Sequence, residues 1–453
     1  MTHDMTRGKL LPILIKFTIP LVLGNLLQLT YNAADSIIVG RFVGATALAA
    51  VGTSNPLLTL IILFEQGICL GTGILIGMMF GSKQFERLQR QVSTGMIAGL
   101  VFSLLMSVLT FAFAPTLLGI LQVDPKIMEE SVLYLRIVAF GLLFNFIYNY
   151  FAGTLRAMGD SKSPLLFLAL SAGLNVAGDL FFVIVLHCGI VGCAVATLVS
   201  EGLSGILCFC YIQKKIPLLQ LGKRWLCFDG SLLKLTLQYG FVSAMQQCAV
   251  QIGKLGIQTI VNTMGVASTA AFSAVNRTDD YAIVIEQNIA HAMTSVMAQN
   301  EGAGERKRVY RTFHYGMILE AVYGVLAGVI FWFLAEPMMR LFTQEPEVVE
   351  IGKEYLRLIA FMYILPGVTN GLQGYFRGIG DLKVTLISSM LNMGARVAAA
   401  APMVFVFHMG MNAIPWSYLI GWIVMLAFEV PFYCSWNRRH LGAEKGKTSD
   451  VGL

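Results

Sequence analysis

Twelve stretches of this chain read as membrane-spanning helices. A bilayer core is about 30 Å thick, and a helix needs about 20 apolar residues to span it with every backbone polar group bonded internally. Such runs lie at 12–38, 47–78, 92–120, 131–154, 164–186, 190–212, 232–260, 268–298, 312–335, 351–375, 384–407 and 411–436. Of 453 residues 56% are hydrophobic and only 13% charged, about half the charge of a soluble chain. This balance excludes disorder, a secreted disulfide scaffold and an ordinary cytosolic enzyme. The first run has no small-residue cleavage site after it and is expected to remain as a span. No segment outside the runs is long enough for a folded domain.

The basic residues orient the spans. Short loops facing the cytoplasm collect Lys and Arg. Of the 32 basic residues, one side takes the clusters at Arg7, Lys9 and Lys16, at Lys83, Arg87 and Arg90, and at Arg156 and Lys162. It also takes Lys214, Lys215, Lys223, Arg224 and Lys234, then Arg306, Lys307, Arg308 and Arg311, and finally Arg377, Lys383, Arg438, Arg439, Lys445 and Lys447. The opposite loops hold Arg41, Lys126, Arg340 and Lys353. Both termini and the central loop are therefore expected in the cytoplasm, in a plasma (inner) membrane.

The chain repeats itself at an offset of 221 residues. Gly44 falls on Gly265, Glu65-Gln66 on Glu286-Gln287, Arg87 on Arg308 and Pro125 on Pro346. Tyr134-Leu135-Arg136 falls on Tyr355-Leu356-Arg357, and Gly159-Asp160 on Gly380-Asp381. Six spans per repeat is an even number, so both halves keep one orientation. The fold class expected is an all-α membrane protein of twelve transmembrane helices. They form two six-helix bundles related by a pseudo-two-fold axis along the membrane normal. The organisation expected is an N-lobe at 1–212, an inter-lobe loop at 213–231, a C-lobe at 232–436 and a tail at 437–453. Two such bundles with a site between them suit a transporter. A channel needs no such duplication, and an enzyme needs a nucleophile, metal or phosphate-binding set that does not show.

Ionisable residues inside spans are costly and mark function by default. Asp35 lies in the outer part of the first span. Asn175 and Asp179 lie one helical turn apart on the fifth, and Thr197 on the sixth across a short hairpin. Two carboxylates, an amide and a hydroxyl are hard oxygen ligands for a hard cation, and a carboxylate beside another also suits a proton. The repeat places Gly256, Arg396, Ala400 and Tyr418 at these four positions, so the acidic set belongs to the first half. The second half offers Lys254, Arg277, Asp279, Asp280, Glu286 and Glu320. Lys254 is placed to neutralise Asp279 or Asp280. Glu65 and Glu286 are equivalent and either pair with loop arginines or line a cytoplasmic entrance. Glu65, Lys254, Asp279, Asp280, Glu286 and Arg396 are substrate or gating candidates, against structural pairing. Pro20 lies mid-span, where it allows a kink. The eight cysteines lack metal or redox spacing and read as small packing residues.

Twelve spans in two repeats, Pro20 in the first and the stretch Asn32-Ala-Ala-Asp35 resemble the multidrug and toxic compound extrusion (MATE) family. Arg156-Ala-Met-Gly-Asp160 and Arg377-Gly-Ile-Gly-Asp381 resemble that family's repeated loop after spans 4 and 10. Asp35, Asn175, Asp179 and Thr197 match the N-lobe cation site of its DinF-like prokaryotic branch. The resemblance implies an antiporter that exports organic cations in exchange for H+ or Na+, with an outward-opening V between the lobes. No cofactor is expected beyond that coupling ion, and no metal beyond Na+ at the coupling site. Small-molecule drugs or metabolites and the bilayer are the partners implied; nucleic acid is not, and a monomer is expected. The NorM-like branch places acids in spans 7 and 10, where this chain has Gln246, Gln247, Gln251, Thr369, Asn370 and Gln373. The resemblance therefore implies no C-lobe coupling of that kind. A lipid-linked precursor flippase of the same superfamily is the alternative. Twelve spans and a carboxylate site disfavour it.

Overall fold

The structure, a computed structural model, describes residues 3–220 and 227–449, with backbone alone at Ala45 and at 439–449. Lys223 and Arg224 of the central loop lie outside the described residues, as do the side chains of Arg439, Lys445 and Lys447. The first half contains α1 (Leu10–Ile38), α2 (Ala45–Gly81), α3 (Phe85–Ile120), α4 (Pro125–Ala157), α5 (Lys162–Leu180) and α6 (Gly189–Lys215). The second contains α7 (Gly230–Asn262), α8 (Val266–Gly302), α9 (Arg306–Arg340), α10 (Pro346–Ala360), α11 (Ile364–Gly378), α12 (Leu382–Phe405) and α13 (Ala413–Ser449). α10 and α11 together occupy the tenth span, so the thirteen helices make twelve rods. α13 continues into the segment expected as a tail.

Nine of the rods, among the described residues, are long and apolar enough by themselves to cross a membrane. α7, α8 and the α10–α11 pair are not among them. α8 carries Arg277, Asp279, Asp280 and Glu286 within its length, and α10 and α11 have 15 residues each. The polar second half is thus built from helices that need neighbours to hide their polar groups.

The repeat is written in the backbone. α2 and α8 start 221 residues apart, as do α3 and α9, and α4 and α10. Left-handed residues recur at the same spacing: Gly44 and Gly265, Lys83 and Gly304, Gly159 and Gly380, His187 and His408, Gly189 and Gly410. Both histidines have φ of 51°, a conformation that few residues other than glycine adopt readily and in which His is enriched. On α3 the exposed apolar stripe Val101, Leu104, Leu105 and Val108 recurs on α9 as Val322, Val325, Leu326 and Val329. Spacing of three and four puts each stripe on one helix face. An apolar face of that length suits lipid.

The chain divides into two compact units. One is Ile19–Ala244 with Met1–Asp4, and the other is Met5–Thr18 with Met245–Leu453. The divisions fall inside α1, next to Pro20, and inside α7. Glycines explain why the start of α7 packs in the first unit. A Cβ at Gly67 would lie 2.5 Å from Ala244 Cα, and one at Gly71 would lie 2.6 Å from Gly240 N. Only bare backbone lets α2 and α7 approach so closely. The first unit's core is aromatic, built on Phe146, Tyr150, Phe151 and Leu155 of α4, with the Tyr150 hydroxyl donating to Val92 O at 2.8 Å. The second packs Phe272, Phe331, Tyr355, Tyr363 and Trp422.

Candidate coupling-ion site

The first unit brings Asp35 of α1 and Asp179 of α5 together. Their carboxylate oxygens and Cys193 Sγ of α6 lie within 4.8 Å of one another. Asp179 is fully buried, Asp35 half-buried. Asp35 Oδ1 and both Asp179 oxygens receive no hydrogen bond. One turn back on α5, Asn175 Nδ2 donates to Thr197 Oγ1 at 3.2 Å, and Thr197 donates on to Cys193 O at 3.1 Å. Asn175 Oδ1 is buried without a donor. All four residues expected at the site therefore stand on three neighbouring helices. Cys193, read from the sequence as packing, joins them.

Both acid-bearing helices end in the same irregular way. A π-helical turn, Val39–Val43, follows Asp35, and another, Phe181–Val185, follows Asp179. Such turns cluster at functional sites because they insert a residue into the helical ladder. Ile38, Val39, Val183, Ile190 and Cys193 form a small apolar cluster there, with Tyr134 packed against it. The acids thus sit under a dry cap. The corresponding stretches of α7 and α12 contain no π turn.

At the equivalent positions of the second unit the chemistry is replaced. Ala400 and Ile414, the counterparts of Asp179 and Cys193, are fully buried in an apolar cluster. A Cβ at Gly256, the counterpart of Asp35, would lie 2.9 Å from Val397 Cγ2. The contact between Asn175 and Thr197 survives in altered form. Arg396 lies 4.3 Å over the Tyr418 ring and 5.0 Å over that of Trp422, a cation held on aromatic faces.

The remaining candidates scatter. Glu65 accepts from Ser103 Oγ at 2.6 Å and pairs with no loop arginine among the described residues. Lys254 stands 3.7 Å from Asp280, both about half exposed, so this pair contributes little. Asp279 accepts from the Tyr363 hydroxyl at 2.7 Å. Glu286 is buried with both oxygens bare. α1 runs as one helix through a buried Pro20.

Two acids, Glu201 half-buried and Glu429 fully buried, escaped the sequence reading. Glu201 of α6 accepts from Asn145 Nδ2 at 2.9 Å. Glu429 of α13 accepts from Gln373 Nε2 at 2.6 Å and Ser388 Oγ at 2.7 Å. Each is a lone acid inside an apolar run, the same signal that singled out Asp35.

Two facing carboxylates away from water cannot both stay charged and bare. The pair must share a proton or close on a cation. Two carboxylates this close, with the Asn175 amide one turn away on α5, fit either. Comparison with known proteins agrees with the architecture. The MatE family model matches residues 20–181 and 243–401, one window in each repeat. The chain is similar to the probable multidrug resistance protein YpnP of Bacillus subtilis (strain 168), at 28% identity over 86% of this chain and 87% of that one. It is also similar to the probable multidrug resistance protein YoeA of the same organism, at 29% identity over 85% of each. A crystal structure described as MATE in the bent conformation superposes with a TM-score of 0.90 at 24% identity, over 98% of both chains. With the repeat, the twelve helical rods and a family model matched in both halves, the chain belongs to the MatE family.

Proposed function

We propose that this multi-pass membrane protein is a secondary active multidrug antiporter. It exports organic, mostly cationic and amphipathic compounds in exchange for H+ or Na+ by alternating access. The observation that carries the reading is the close Asp35–Asp179 pair, three of whose four oxygens are buried without a hydrogen bond. A structural carboxylate in an apolar surrounding is normally hydrogen-bonded. A bare pair is a place for an exchangeable cation. Names of similar proteins that carry the words multidrug resistance support the substrate class. The basic loops support an orientation with both termini cytoplasmic, in a plasma membrane.

Coupling needs the pair to hold its cation more tightly in one state than in the other. An inward-negative potential then adds about 2.3 kcal/mol per charge per 100 mV to the driving force. Asn175 and Thr197 fix the α5–α6 contact beside the acids. The π turns supply irregular backbone that can rearrange as the state changes. Cys193 is a neutral neighbour that keeps the pair dry.

The test is export of a fluorescent organic cation from proteoliposomes under an imposed proton gradient and, separately, a sodium gradient. One of the two gradients should accelerate export over a gradient-free control. Export insensitive to both would reject antiport.

A further inference from the structure

The coupling-ion site holds one ligand type that neither H+ nor Na+ needs. Cys193 of α6 carries a free thiol and is buried. Its Sγ stands within 4.8 Å of carboxylate oxygens of Asp35 and Asp179. This is the one place among the described residues where three side chains of the His, Cys, Asp and Glu types meet so closely. Hard cations take oxygen ligands, whereas a thiolate beside two carboxylates favours a thiophilic divalent ion.

Packing does not demand a cysteine at this position. Its counterpart in the repeat is Ile414, fully buried in hydrocarbon. The counterparts of Asp35 and Asp179 are Gly256 and Ala400. The three side chains are thus present together in the first unit and replaced together in the second. Small residues bring the ligands face to face. A Cβ at Gly178, next to Asp179, would lie 3.1 Å from Ala196 Cβ. One at Gly192, next to Cys193, would lie 2.8 Å from Phe182 Cβ. α5 and α6 therefore approach closely enough for an acid on one to face a thiol on the other.

The arrangement suits a four-coordinate metal. Zinc holds sulfur at about 2.3 Å and oxygen at about 2.0 Å in a tetrahedron, so its ligand atoms stand about 3.5 Å from one another. Atoms already within 4.8 Å reach that spacing by side-chain rotation. Asp35 is the half-buried member of the three, so the ion enters from its side. Three protein ligands leave a fourth position. The Asn175 amide oxygen, one turn back on α5, is buried without a donor. Charge balances as well. When the carboxyl pair holds a proton, Zn2+ enters as two protons leave, one from the thiol and one from the pair, and the net charge of the site does not change. Ile38, Val39, Val183 and Ile190 pack around Cys193, and a dry flank strengthens the attraction between metal and ligands.

We propose that Asp35, Asp179 and Cys193 form a binding site for Zn2+, with the Asn175 amide oxygen or a water as fourth ligand, and that bound Zn2+ excludes the coupling cation and arrests transport. The arrest rests on the antiport reading above; the binding does not.

The test titrates the purified full-length protein, in lipid nanodiscs, with Cd2+. This ion takes the same ligands as Zn2+, and its bond to a thiolate absorbs in the ultraviolet. Subtracting the signal of Cys193→Ser from that of wild type isolates this thiol from the other cysteines. Melting curves check the fold, and Cys193→Ala replaces Cys193→Ser if the latter does not fold. The difference should show one Cd2+ bound per chain, and added Zn2+ should displace it. Asp35→Asn and Asp179→Asn should each weaken binding by about tenfold or more. A missing difference signal, or a Cd2+ affinity unchanged in both aspartate variants, overturns the proposal. In proteoliposomes, Zn2+ at a saturating concentration should stop gradient-driven export by wild type. Cys193→Ser, read against its own metal-free rate, should resist. Equal inhibition of the two would place the zinc effect elsewhere and overturn the arrest. A wild type without gradient-driven export would fail the antiport reading alone, because the Cd2+ titration decides the site independently.

Discussion

At the scale of single residues, what separates a working carboxylate from a structural one is its supply of donors. Asp160, in the turn between α4 and α5, has them: Ser163 N at 3.0 Å, Ser163 Oγ at 2.7 Å and the Tyr211 hydroxyl at 3.2 Å. Burial pushes its carboxyl up, but the Ser163 hydrogen bonds prevail and hold it below the ordinary value of 3.8. A folded-state value below the unfolded one stabilises the fold above the unfolded value and is lost as pH falls through the folded one. Asp160→Asn should therefore lower thermal stability near neutral pH by about 1 kcal/mol, the worth of a helix cap. The difference from wild type should shrink on acidification below about pH 4. Melting curves across pH check this; a difference that grows in acid would contradict it. The acids at Asp35 and Asp179 were legible because a charge inside an apolar run is conspicuous. Their lack of donors was not, since it depends on three helices meeting. Cys193 was invisible for the same reason, because nothing in its spacing separates it from the packing cysteines.

Among the helices, glycine sets how closely two rods can approach. Gly67 and Gly71 of α2 lie against the backbone of α7. Gly71→Val should lower the melting temperature by an amount corresponding to at least about 1–3 kcal/mol. Gly119→Val, where an added Cβ meets nothing within 4 Å, should cost far less. Equal losses at the two sites would mean that helix contact is not the cause. The spans were legible from apolar runs, and α2, α3, α4, α6, α8 and α9 extend beyond theirs because the polar ends continue the same ladder outside the hydrocarbon. The break between α10 and α11 was not read, although Pro366 marked it. The π turns carried no recognisable signal, because Val39–Val43 and Phe181–Val185 have the composition of ordinary span ends.

For the whole molecule, the offset of 221 that aligned residues also aligns helix starts, left-handed turns and lipid-facing stripes. Duplication was legible because it repeats glycines and charges at fixed spacing. The division of labour between the units lies in the exceptions to the repeat, such as Asp35 against Gly256 and Gly99 against Glu320. Orientation is testable at the same scale. In a cysteine-free background, Cys introduced at Gly44 or Gly265 should react with an impermeant thiol reagent applied outside intact cells. Cys at Gln84 or Gly304 should not, and the reverse pattern would invert the topology. The central claim is that the Asp35–Asp179 pair couples cation movement to export. Its most direct measurement is gradient-driven export in proteoliposomes by wild type, Asp35→Asn and Asp179→Asn, each shown by melting to be folded. Asn keeps the shape and removes the exchangeable charge. Both variants should lose the acceleration that the gradient gives wild type, falling to the gradient-free rate. Wild-type acceleration in Asp35→Asn would show that the pair does not couple transport, and the account would fail.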